Sequence, residues 1–187
     1  MLYVNQRENE KLMYICNTED ISAENEWMHH SSFAKTGCGI CSAVMVIDRL
    51  LPNTDFSLTD AIQLSYDTKA NHEPGTDYGI YAPALAEKFD LKLKMSSDPE
   101  DLLHCLKTGG VCVVNVGGDR EGWAGVYCGI GHYIVAISQI EDERICVLDS
   151  DMYDGKFDRF EQVNVDGMPG VLPSASTQRR SSSDRSL

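Results

Sequence analysis

The hydrophobic period of this chain changes once, at Gly109-Gly110, and that change limits the folds open to it. Ahead of it the apolar residues keep helical spacing. Ile40, Val44, Ile47 and Leu51 recur at i, i+4, i+7 and i+11, which is one helix face, and Pro52-Asn53 ends it. Ser57-Leu58-Thr59-Asp60 reads as a capped helix start running to about Asp67. A third helix is expected from Ile80 to Phe89, with Pro83 tolerated in its first turn. Asp98-Pro99-Glu100-Asp101 opens a fourth, with proline at the first helical position. Beyond the glycine pair the pattern becomes strand-like. Val111 to Val116 is a short apolar run, and Tyr133 to Ile140 and Arg144 to Leu148 flank a turn at Glu141-Asp142-Glu143. Residues 117 to 131 form a Gly-rich connection holding Trp123 and Tyr127, and Phe157 to Val165 is read as one more strand. Helices first and antiparallel strands second give an α+β class, with an N-terminal helical half packed on a C-terminal sheet. A cleft between two such halves is a natural place for a site. Residues 1 to 30 are polar and acidic, and one or two short strands are expected near Lys11 to Ile15.

At 187 residues the chain suits one domain with a real core, assigned here to residues 1–173. Residues 174–187 are Ser/Arg-rich with almost no apolar side chains, and disorder is expected there. The formal net charge of −13 would repel phosphate backbones, which argues against nucleic acid as the main partner. No apolar run approaches the roughly 18 residues of a spanning helix, and no secretory signal is visible at the N-terminus, so no membrane partner is expected. The seven cysteines are odd in number, and Cys112 and Cys146 sit inside apolar runs. Cys16, Cys105, Cys112 and Cys146 are read as reduced core thiols in a cytoplasmic setting.

Three residues carry the chemistry. Cys38 stands between Gly37 and Gly39, directly ahead of the first helical pattern. A free thiol titrates near 8.5 and only its thiolate attacks well; a helix N-terminus and a nearby imidazolium both favour the anion. The flanking glycines are expected to allow a sharp turn and close approach of a substrate backbone. The Cys38 N–H is a candidate to hold an oxyanion. His132 follows Gly129-Ile130-Gly131 at the start of a strand and is the candidate base. Asp149 closes the next strand, where it is expected to fix the imidazole tautomer.

With these residues in place, the chain resembles papain-fold cysteine peptidases of the bacteriocin-processing kind, which cut leader peptides after a double glycine, and their stand-alone relatives. The likeness covers roughly residues 30 to 155. It rests on Gly37-Cys38-Gly39 at a helix start and on the run from Leu106 to Val114 through Gly109-Gly110. Gly131-His132 before an apolar strand and Val147-Leu148-Asp149 at a strand end complete it, with Met45 and Gly75-Thr76 also fitting. The resemblance implies a papain-like fold. It assigns Cys38 as nucleophile, His132 as general base and Asp149 as orienting acid. It implies hydrolysis of an amide in a peptide or protein substrate, with no cofactor and no metal. One departure concerns the oxyanion donor, which the family often supplies as a glutamine about six residues before the cysteine. Ser32 occupies that place, with His30 nearby, and these two are the candidate substitutes.

Other readings compete. An amine could replace water, making the chain an acyl or peptidyl transferase. The cleft could bind peptides without turnover. Cys38 and Cys41 form a C-x-x-C that, with Cys128 and His132, could hold a structural zinc ion. Asp149, Asp151 and Asp154 could suggest calcium, although the downstream glutamate of a helix-loop-helix site is lacking.

Overall fold

A computed structural model describes residues 1–16, 32–71, 75–121, 125–141 and 144–158. The chain divides into two compact units, Met1–Ser97 and Asp98–Leu187. Helices fill the first, and a helix with an antiparallel sheet fills the second, so the class is α+β.

The first unit opens with a 3-10 turn over Gln6–Asn9, whose cap is the Asn5 side chain accepting from the Arg7 N–H at 3.0 Å. The short helix α1 (Phe33–Thr36) and the long helix α2 (Cys38–Leu50) follow, separated by Gly37 alone. Helix α2 is not the one-faced helix its periodicity suggests. Every residue from Gly39 through Met45 is buried, so it runs through the middle of its unit. Helix α3 (Leu58–Asp67) begins on a complete capping box: the Ser57 hydroxyl accepts from the Asp60 N–H, and the Asp60 carboxylate accepts from the Ser57 N–H at 2.9 Å. Helix α4 (Tyr78–Phe89) starts one half-turn earlier than its apolar pattern indicates, because the Asp77 carboxylate caps the Gly79 N–H at 2.7 Å. Pro83 therefore lies inside the helix rather than in its first turn. The strands expected near residues 11 to 15 do not form among the described residues. Met13 makes only an isolated bridge with Ser32.

The second unit starts with helix α5 (Pro99–Lys107), capped by the Asp98 side chain and led by Pro99. Three strands follow: β1 (Cys112–Gly117), β2 (Gly131–Glu141) and β3 (Arg144–Asp149), antiparallel in the order β1-β2-β3. Helix α5 lies against β1 and β2. Leu106, Tyr127, Ile134, Ala136, Val147 and Phe157 form the unit's core. The residues expected to begin a strand at Phe157 lie in a turn instead, and positions 159 onward, including the Ser/Arg-rich tail, fall outside the described residues. Trp123 falls outside them as well. No helix among the described residues is long and apolar enough to cross a membrane.

Candidate active site

Cys38 is the first residue of α2 and is half-buried. A helical turn, α1, leads directly into it, with the Gly37 N–H donating to the Phe33 carbonyl at 2.8 Å. The flanking glycines serve a different end from the one their conformational freedom suggests. Gly37 has an ordinary φ of −81°. A Cβ there would stand 2.6 Å from the Phe33 carbonyl oxygen and 2.7 Å from its ring. A Cβ on Gly39 would stand 2.7 Å from the Thr76 side chain and 3.2 Å from the Tyr78 ring. These glycines thus let buried side chains close around the start of α2. Tyr78 donates its hydroxyl to the Gly39 carbonyl at 2.7 Å. Thr76 in turn meets the Tyr14 hydroxyl at 3.0 Å, and Tyr14 meets Ser65 at 2.6 Å. The backbone on both sides of the Cys38 sulfur is therefore clamped by α1, α3 and the start of α4.

Two further thiols lie close by. Cys16 and Cys41 are both fully buried. Burial pushes each thiol up, and the nearby Cys38 adds to the effect. Cys41 therefore belongs to the core, away from any exposed C-x-x-C pair. Cys105, Cys112, Cys128 and Cys146 are half-buried rather than fully enclosed, and none of the seven cysteines is in a disulfide.

The second unit supplies an imidazole and a carboxylate in direct contact. His132 Nε2 lies 2.7 Å from Asp149 Oδ1, with both residues buried. Strand geometry explains the meeting. Ile134 pairs across β2 and β3 with Asp149, so His132 lies on the same face two residues along. Two register shifts set this pairing, one between Gln139 and Glu141 and one between Ala136 and Ser138. A regular ladder continued from the Glu141–Arg144 pair would place Asp149 opposite Ala136. That would leave it four residues from His132, about 13 Å along the strand. The bulged strand slides the acid to the imidazole.

The Asp149 carboxylate is held at both oxygens. Oδ1 also accepts from the Asp151 N–H at 2.9 Å, and Oδ2 accepts from the Lys156 ammonium at 2.6 Å. Burial alone raises this carboxyl, but the hydrogen bonds and charges of His132 and Lys156 outweigh it and hold it below its usual range. An ionised carboxylate only accepts, so the imidazole carries its proton on Nε2. The neutral ring then has its basic lone pair on Nδ1. Tyr127 lies near the same carboxylate, and burial first, then that negative charge, push its phenol up.

Of the residues singled out from sequence, the structure brings His132 and Asp149 together in one unit and sets Cys38 at a braced helix start in the other. Ser32 is the N-cap of α1, half-buried, with no side-chain cap bond to that helix. His30 lies outside the described residues. Among the described residues no three His, Cys, Asp or Glu side chains gather where they could hold a metal ion. That includes the Asp149, Asp151 and Asp154 run, where Lys156 reaches in between Asp149 and Asp151. Lys156 is the site residue that sequence reasoning missed. The available signal was a lone cation in a segment carrying Asp149, Asp151, Asp154 and Asp158. Compared with known proteins, the chain finds no counterpart: no family model, no curated protein and no solved structure matches it.

Proposed function

We propose that this protein is a papain-like cysteine hydrolase that cleaves an amide bond in a peptide. The observation that carries the reading is the buried His132–Asp149 pair, with Nε2 2.7 Å from Oδ1. An ionised acid that fixes one imidazole nitrogen as a donor leaves the other to exchange a proton with a nucleophile and then with a leaving amine. Cys38 is the nucleophile in this reading. Its thiolate adds to the scissile carbonyl, with the Cys38 N–H as one donor to the oxyanion. The tetrahedral intermediate collapses as His132 passes its proton to the departing amine, which leaves a thioester on the sulfur. Water, deprotonated by His132, then releases the acid product and regenerates the thiol. The reading requires that the Cys38 sulfur and His132 Nδ1 meet during turnover.

A mixed fluorogenic peptide library tests it. The parent protein is expected to release product and to trap an acyl adduct on Cys38, read by mass spectrometry after acid quench. Cys38→Ala should abolish both, and His132→Ala should lower turnover by about 10²–10⁴-fold. Turnover that persists in Cys38→Ala would contradict the reading.

A further inference from the structure

The Asp149 carboxylate holds two partners, the His132 ring at 2.7 Å and the Lys156 ammonium at 2.6 Å. Lys156 has a side chain only 3% exposed. Its ammonium donates to Asp149 Oδ2 at 2.6 Å and to the Asp151 carbonyl at 3.0 Å, and it stands 3.7 Å from the Asp151 carboxylate. The Tyr153 and Phe157 rings each lie with their centroids 5.9 Å from it. A buried ammonium held this way is expensive to desolvate and is fixed in place by its partners. A solvated surface pair would need none of this.

We propose that Lys156 serves the His132–Asp149 pair through its charge, offsetting at Oδ2 the carboxylate whose Oδ1 meets the imidazole. This rests on the hydrolase reading for its purpose but not for its test. The electrostatic logic is direct. Two carboxylates, Asp149 and Asp151, stand at the Lys156 ammonium, which offsets one of them. A positive charge on the imidazole therefore meets less net negative charge than the two acids alone would present. A His–Asp pair without the lysine would hold the proton more firmly and be a poorer acid toward the leaving amine. Among the described residues, Asp149 from β3 meets the His132 ring, and Asp151 and Lys156 from the turn after it and Tyr127 from the connection before β2 gather about that same carboxylate.

The test is the NMR titration of the His132 ring in the full-length protein, which needs no substrate. Lys156→Met should raise the His132 midpoint by about one pH unit, and Lys156→Arg, which keeps the charge, should leave it near the parent value. A merely structural lysine predicts otherwise: losing it would free the carboxylate to swing away, and the midpoint would stay or fall. That result overturns the proposal. Should Lys156→Met not fold, Asp149→Asn and the double variant Asp149→Asn/Lys156→Met remove the buried anion first. The double variant should then titrate higher than Asp149→Asn alone, and equal midpoints overturn the proposal. Failure of the hydrolase reading would show instead as turnover indifferent to Cys38 and leaves these titrations unaffected.

Discussion

At the scale of single residues, the candidate nucleophile is set apart from its neighbours by exposure. Cys16 and Cys41 are fully enclosed, with thiols that burial pushes up, whereas Cys38 is half-buried. Iodoacetamide applied to the native protein near neutral pH is expected to label Cys38 and spare Cys16 and Cys41, as read by peptide mapping. Labelling of all three only after unfolding would count against an accessible nucleophile. The glycines beside it were legible as special from their type, but their reason was not. Their Cβ space is taken by Phe33 and Thr76, contacts that no spacing in the chain announces. Gly39→Ala should therefore destabilise the first unit by about 1–3 kcal/mol through overpacking, measured by urea denaturation. Asp149 was legible as a strand-end acid near a strand-start histidine. Lys156 was not, because it reaches Asp149 through a turn with no period to read. Lys156→Met leaves a buried carboxylate one partner short and is expected to cost about 3–5 kcal/mol, whereas Lys156→Arg should cost much less.

At the scale of elements, boundaries marked by caps were readable and boundaries set by tertiary packing were not. Ser57 with Asp60 and Asp98 with Pro99 signalled their helices in the sequence, and both helices start where those residues stand. Helix α4 was placed late because Asp77, its cap, lies ahead of the first clear apolar period. The hairpin between β2 and β3 was legible as two apolar runs about a charged turn. Its register was not, because the two bulges in β2 contain no glycine or proline to mark them. The capping box offers a local check. Ser57→Ala should destabilise by about 1 kcal/mol, and hydrogen exchange should show the loss concentrated in the first turn of α3. A loss spread evenly over the chain would contradict that assignment.

At the scale of the whole molecule, the change of hydrophobic period at Gly109-Gly110 was enough to read an α+β chain with helices first and sheet last. The two compact units meet in sequence at Ser97 and Asp98, twelve residues before Gly110, because α5 belongs with the sheet it covers. Stability against acid follows from the second unit. Asp149 is held below its usual range in the folded state, so its contribution is present above the unfolded carboxyl value near 3.9 and is lost as pH falls through the folded value. Circular dichroism should show stability falling below about pH 4, with a shallower fall in Asp149→Asn.

The proposed mechanism requires a sulfur of one unit and an imidazole of the other to act as a pair, and the alkylation rate of Cys38 against pH tests that requirement without a substrate. With iodoacetamide at pH 6, Cys38 of the parent is expected to be modified on the order of tenfold faster than Cys38 of His132→Ala, because the proposed mechanism brings an imidazolium to the thiolate. Superimposable rate profiles for the two proteins from pH 5 to 9 would show that the sulfur is indifferent to His132, and the proposed mechanism would fall.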